Sequence, residues 1–382
     1  MAFMNNARFR ALFYQWLAIG VVALVAWSMF ATASNNLARH DITTGFSYLS
    51  RQAGFVISEA AIAYEPTDTV ARALLVGFAN TVKVSLLAGL FGTILGLAVG
   101  IGRMSRNPLL QRLMLSYVEA LRNIPLLLYL LFWYAVIINV LPPVRAALPL
   151  APHVYLSNSG LVIPSISFER GLSIALGAVG LGIISALLIR HIALRRRLAT
   201  GTSNHGPLIA LLAAIAPIAI VLLLGGVAIT FDLPEKGRFR LTGGLQVRPE
   251  FVALWFGLAL SVSANVAEIV RAGIQAVHKG QWEASMALGL PRRRAMRLVI
   301  LPQALRLIIP PLTNTYLTVF KNSSLAIAIG YPDLVMVSNT VMNQTGQAME
   351  TIAIFMGAYL GLSIAISLIM NWYNKHVALK ER

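Results

Sequence analysis

The chain has 382 residues, 57% of them apolar and 12% charged, with 31 Lys and Arg against 14 Asp and Glu for a formal net charge of +17. Soluble domains run at about 45–50% apolar and about 25% charged, so hydropathy argues against a water-soluble core, the apolar content against disorder, and nucleic-acid binding would explain the charge but not the hydropathy. A bilayer accounts for both, because apolar spans cross it while Lys and Arg gather in the loops on one side.

A hydrocarbon core about 30 Å thick takes about 20 residues of helix. Eight stretches qualify in chain order: 12–33, 79–101, 117–141, 172–190, 207–229, 251–273, 305–329 and 352–373. The first is read as an uncleaved anchor, since its apolar run exceeds the 7–15 residues of about the usual signal core; cleavage after Ala31-Thr32-Ala33 is the alternative. A Ser/Thr/Ala-rich segment, 34–78, follows and is expected to order only by packing on its neighbours. The Pro-rich stretch 142–171 reads as an outer loop. The seventh span carries Pro310, Pro311, Asn314 and Lys321, and is either continuous or a pair of half-helices. The expected architecture is an all-α polytopic membrane protein. Its segments are an anchor and outer segment (1–78), two spans (79–141), an insertion with two spans (142–249), and three spans with a cytoplasmic loop, 274–303 (250–382).

With the N-terminus in the cytoplasm, the inner segments hold 19 basic and two acidic residues, and the outer segments nine basic and ten acidic. The excess is an orientation mark that places both termini inside. Cysteine is absent, so no disulfide or Cys-based metal site is expected. Neither a G-x-x-x-x-G-K-[ST] loop nor H-E-x-x-H occurs, and no catalytic or metal-binding residues are assigned.

Small residues repeat every four positions at Gly92, Gly96 and Gly100, and at Ala353, Gly357, Gly361 and Ala365. Such faces let helices approach closely, within the chain or in a dimer. Polar stripes are more informative. Ser261, Asn265, Glu268 and Arg271 share one helix face, as do Asn314, Thr318 and Lys321. Ionisable groups at such depth normally face a cavity or each other. They either line a solute path or form locking pairs, Glu268 with Arg271 and Glu119 with Arg122; Lys321 has no same-helix partner.

The most specific feature follows the sixth span. Gln281 to Leu288 reads as a short helix ended by Gly289, and Pro291 suits the first turn of a second, basic helix carrying Arg292, Arg293, Arg294 and Arg297. Pro302 closes the unit. This elbow is a docking device for another protein, or a hairpin lying on anionic lipid.

Glu283-Ala284-Ser285, then Gly289, then Val299-x-Leu301-Pro302 resembles the signature loop of ABC importer membrane subunits, with Ser at the third position and Val for Ile. Ala267-Glu268-Ile269-Val270-Arg271, Asn80-Thr81, Tyr117 to Leu127 and Lys321-Asn322-Ser323-Ser324-Leu325 are similar to the polar amino-acid permeases of the histidine/glutamine/arginine type. The resemblance covers about 70–140 and 250–375. It implies a type I importer permease core of five helices, with the leading span and 142–249 added, as in general L-amino-acid or glutamate/glutamine/aspartate/asparagine systems. It further implies a multi-pass subunit of the bacterial inner membrane that carries polar L-amino acids and is not itself an enzyme. ATP and Mg would sit on a partner ATPase, with no cofactor on this chain. The implied partners are the ATPase, a second permease (hetero- or homodimer) and a periplasmic amino-acid-binding protein. Glu283, Ala284, Ser285, Gly289, Leu301 and Pro302 become the ATPase-coupling residues. Asn265, Glu268, Arg271, Asn314, Thr318 and Lys321 become candidates for the solute path. The rivals are a stand-alone secondary transporter or channel, and a membrane scaffold or sensor.

Overall fold

A computed structural model of the chain describes residues 7–39, 45–170, 172–200, 206–223, 228–237 and 241–377. The extreme termini, which the charge pattern places in the cytoplasm, lie outside the described residues. The chain forms two compact units, Met1–Tyr134 with Ala253–Arg382, and Ala135–Val252.

The chain enters as α1 (Ala7–Arg39), and then a polar segment leads to α2 (Val70–Gly102), whose N-cap Thr69 accepts from the Arg72 N–H. That segment is tied down by its neighbours. Tyr48 Oη lies 2.9 Å from Thr351 Oγ1, and Asn80 on α2 accepts from the Ala61 N–H and donates to the Glu59 carbonyl. The third predicted span is two helices, α3 (Pro108–Asn123) and α4 (Leu126–Val140), meeting at 104°. A residue before proline is driven out of the α region, and Ile124, ahead of Pro125, is extended at φ −94°, ψ 129°. A single straight helix over 117–141 is therefore corrected.

The second unit corrects the all-α expectation. The Pro-rich stretch folds as β1 (Leu148–Ala151), β2 (Val154–Ser157), β3 (Gly160–Ile163) and β4 (Ser165–Arg170). Val154, Tyr155, Val162 and Ile163 suit a pleated surface, and the two-residue turn Asn158-Ser159 joins β2 to β3. Next come α5 (Leu172–Thr200) and α6 (Gly206–Leu223), a helical hairpin in which a Cβ on Gly182 would lie 2.3 Å from the Ala214 carbonyl. The apolar stretch of α6, Leu208–Val221, is shorter than a full span. After α6 the chain forms β5 (Ala228–Asp232), β6 (Glu235–Lys236), β7 (Leu241–Thr242) and β8 (Leu245–Val247). β5 pairs with β4 as a ribbon continuing the hairpin, and β8 completes an antiparallel sheet in the order β1-β2-β3-β8.

The remaining elements are α7 (Pro249–Gln275), α8 (Lys279–Ala287), α9 (Arg292–Ala295), a π turn (Met296–Ile300), α10 (Leu301–Asn322), a 3₁₀ stretch (Ser323–Ile329), α11 (Leu334–Thr345) and α12 (Ala348–Val377). Among the described residues, six helices are long and apolar enough to cross a membrane, or seven if α3 and α4 count as one broken span. α10 continues unbroken through Pro310 and Pro311 to Asn322, so it is not a pair of half-helices.

α2 and α7 lie in register. A Cβ on Gly92 would come within 2.7 Å of the Ala259 carbonyl, one on Gly96 within 2.7 Å of Ser263, and one on Gly100 within 2.9 Å of Ala267. Both helices advance four residues per contact in the same direction, so this small-residue face packs inside the chain. The matching face of α12 does not: Gly357 and Gly361 have nothing within 4 Å. The short α11 was not foreseen. It packs on α2, where Thr81 Oγ1 accepts from the Leu334 N–H at 3.0 Å and Asn80 donates to the Pro332 carbonyl.

Candidate functional site

The loop between α7 and α10 is a helix–glycine–helix elbow. His278 caps α8, its ring nitrogen accepting from the Gly280 N–H. At the other end the Leu290 N–H donates to the Ser285 carbonyl and the Gly289 N–H to the Met286 carbonyl, the paired bonds of a left-handed helix stop. Gly289 has φ +71°, and a Cβ there would meet nothing within 4 Å. Glycine is thus required by backbone conformation and not by space. Ser285 is buried, with Oγ donating to the Gln281 carbonyl at 2.6 Å. Glu283, Ala284 and Leu288 face outward.

Pro291 is the N-cap of α9, just before the first turn. Arg292 lies over the Trp282 ring at 5.6 Å, which fastens one arm of the elbow to the other. Pro302 does not close the unit, as expected from its sequence position, because the basic arm continues into α10 through the π turn. There the Leu301 N–H donates to the Met296 carbonyl, five residues back. The ladder shifts frame just before a residue that has no N–H to offer.

Each arm leads into one wall of a polar cleft of about 270 Å³. α7 contributes Ser261 and Asn265, and α10 contributes Asn314, Thr315, Thr318 and Asn322; Leu258, Val262 and Val319 form the apolar floor. Thr315 and Thr318 donate to the carbonyls of Pro311 and Asn314, and Asn265 donates to Ser261 O at 3.0 Å. Those hydroxyl hydrogens are already engaged. The cleft therefore offers oxygen acceptors together with the remaining amide hydrogens of its three asparagines. That is chemistry for a small solute with both an ammonium and a carboxylate, and no ionisable side chain lines the cleft.

The charged candidates lie elsewhere. Glu268 and Arg271 pair, and Arg103 at the end of α2 joins them, so one carboxylate holds two guanidinium groups while Arg271 also donates to Gln275. Arg103 has only 9% of its side chain exposed, so this is a lock between helix ends. From sequence alone Arg103 is one of the inner basic residues that follow the second span. The missed signal was the Gly92-Gly96-Gly100 repeat, whose continued register against α7 brings position 103 beside Glu268. Glu119 and Arg122 are both exposed on α3 and make no ion pair among the described residues, since nothing restrains two long surface side chains in one geometry. Lys321 is exposed and lies outside the cleft lining.

Residues 92–382 match the family described as the inner membrane component of binding-protein-dependent transport systems. The chain belongs to this family. Two relatives match over nearly their whole length. The general L-amino acid transport system permease protein AapQ of Rhizobium johnstonii is 44% identical over 99% of this chain and 95% of its own. The glutamate/glutamine/aspartate/asparagine transport system permease protein BztB of Rhodobacter capsulatus is 38% identical over 99% and 96%. As an inner membrane transport component the chain is a multi-pass membrane permease, and the elbow and the cleft lie within the span of sequence the family shares.

Proposed function

We propose that this permease subunit carries L-amino acids in an ATP-driven importer, with α7 and α10 lining the route and the elbow receiving a cytoplasmic ATPase. The observation that carries this reading is the cleft of amides and hydroxyls whose two walls are joined by that elbow. An amino acid is a zwitterion, and uncharged amides and hydroxyls bind both its ends without selecting for side-chain charge. That accords with relatives named for general L-amino acids and for a mixed acidic and amide set.

In this mechanism the exposed Glu283 enters a groove on the ATPase. Gly289 holds the turn, and the buried Ser285 with Leu301 and Pro302 fixes how the two arms meet. ATP with Mg binds the ATPase, and hydrolysis occurs there. A second permease subunit faces the cleft from the other side, and a periplasmic binding protein delivers the solute. The positive segments, including both termini, lie in the cytoplasm.

The test is reconstitution in proteoliposomes with the ATPase, second permease and binding protein. Uptake should require ATP, and Asn265→Leu or Asn314→Leu should lower it while leaving ATPase binding intact. Uptake by the purified chain alone, without ATP, would replace this reading with a secondary transporter. Asn265→Asp adds a negative charge to a neutral cleft and should favour cationic over anionic amino acids; an unchanged preference removes Asn265 from the route.

A further inference from the structure

A second cavity lies further around α10 from the polar cleft, the two meeting at Val319. It is a groove of about 340 Å³ between α2, α10 and α12, walled by Leu86, Leu90, Phe320, Ile366 and Met370. Its floor is Gly89, and its polar atoms are three hydroxyls: those of Tyr316 and Thr93 bond each other at 2.9 Å, and Ser85 Oγ is buried with no hydrogen-bond partner among the described residues. Leu86 and Leu90 are exposed, so the groove opens on the outer surface of the helix bundle. All three walls are candidate membrane spans, and a solute with two charged ends would find no charged partner in the lining.

The end of the same helix carries two unmet guanidinium donors. Arg306 is half-buried, and its Nε and Nη2 are buried with no hydrogen-bond partner among the described residues. A guanidinium in that position is expensive unless an anion reaches it. Helix geometry aligns the two features. At 100° per residue Arg306 lies within about 40° of Phe320 and about 80° of Tyr316 around α10, and about 15–21 Å nearer its N-terminal end. One leaflet of a bilayer is about 15 Å of hydrocarbon. A phosphate at Arg306 therefore stands one leaflet's depth from an apolar slot on nearly the same face.

We propose that this is a site for an anionic phospholipid, with its phosphate on Arg306 and an acyl chain along the groove to Gly89. The charge selects a phosphodiester, and the slot selects a long chain. Neither half suffices alone. A free phosphate would leave the groove empty, and a chain without phosphate would leave those two donors unpaired. The site shares only Val319 with the polar cleft and does not depend on which amino acid is carried.

The experiment is native mass spectrometry of the intact purified transporter. The probes are phosphatidylglycerol, a diacylglycerol with the same chains, and inorganic phosphate. The wild-type complex should hold phosphatidylglycerol at least tenfold more tightly than diacylglycerol, and inorganic phosphate should not displace it. Arg306→Gln should lose that tenfold. Gly89→Leu keeps the charge but fills the slot, where a new Cβ meets only Tyr316 Cδ1 at 3.9 Å, and it should release the lipid as well. Equal retention by wild type and both variants overturns the proposal. Displacement by phosphate alone overturns the lipid in favour of a simple anion site. A lipid-free groove in which Leu90→Cys cross-links to the second permease overturns it in favour of a protein contact.

Discussion

Replacing Gly289 isolates backbone conformation at the elbow, because the position has φ +71° and open space around it. A side chain there clashes with nothing, so the whole effect comes from forcing a left-handed conformation. For an ordinary L-residue that amounts to about 1–2 kcal/mol, or about five- to thirtyfold in the population of the native turn, given tenfold per about 1.4 kcal/mol. Valine, β-branched, belongs at the upper end; asparagine, which tolerates this region, at the lower. The turn is exposed and remote from the packed helices, so the melting temperature of the purified transporter should barely move. Affinity for the ATPase and ATP-driven uptake should fall, in the order Gly, then Asn, then Val. The assay is an equilibrium titration of the ATPase onto the permease assembly, alongside uptake in proteoliposomes. Binding that is equal for Gly289→Asn and Gly289→Val, or transport by both at the wild-type rate, would refute the conformational argument.

Other substitutions probe the frame. Gly96→Ala places a methyl group within 2.7 Å of the Ser263 carbonyl and should destabilise the α2–α7 seam by about 1–3 kcal/mol. Gly361→Ala, with nothing within 4 Å, should not destabilise the chain and should add up to about 0.5–1 kcal/mol through helix propensity. Glu268→Gln leaves Arg103 and Arg271 without their shared carboxylate; a loss of about 1–3 kcal/mol in thermal unfolding is expected, and no loss would show that the lock is idle. Asp333 caps α11, accepting from the Met336 N–H at 2.8 Å and from the Tyr359 hydroxyl, and burial pushes its carboxyl up to about 7. The folded protein therefore holds a proton that the unfolded chain releases near about pH 3.9, so stability should fall as pH rises from about 4 to about 7 and level off above that. Asp333→Asn keeps the cap and should melt higher than wild type at pH 8, with the gap closing towards pH 4.5. An equal gap at both values removes the carboxyl as its cause.

What was legible in the sequence was what repeats. The four-residue spacing of Gly92, Gly96 and Gly100 fixed a seam. The 0, 4 spacing of Ser261 with Asn265, and of Asn314 with Thr318, marked the cleft walls. The Gly289 break marked the elbow. Glu268 and Arg271 continued their stripe along the same helix, yet they sit with Arg103 and not in the cleft, because a face spanning ten residues passes several neighbours in turn. Strands between 148 and 247 were hidden by length, since segments of two to six residues give too few alternations to stand out beside prolines. Arg103 and Arg306 were invisible for another reason: a basic residue at a span end looks the same whether it meets water, an ion pair or nothing.

On the proposed mechanism the cleft and the elbow act as a single mechanical element, because few residues join them. α7 ends at Gln275 and α8 begins at Lys279, while the basic arm runs from Arg292 into α10 through a continuous helical path. Asn314 lies about 20 Å along that path from Leu301, a length over which a helix moves as a rod. A rotation of the elbow therefore has two exits, one through α7 to Ser261 and Asn265, the other through α10 to Asn314 and Thr318. α7 is held on α2 by the glycine seam and by the Arg103–Glu268 lock, whereas the π turn gives α10 a weaker helical joint near the elbow. On the proposed mechanism the wall that moves is therefore α10. Stiffening the joint, by a deletion within Met296–Ile300 that restores an α frame, would also rotate the elbow by about 100° relative to the cleft. Such a variant should keep the polar cleft and the α2–α7 seam while losing ATP-driven uptake. Full uptake by a properly assembled deletion variant would show that the turn transmits nothing.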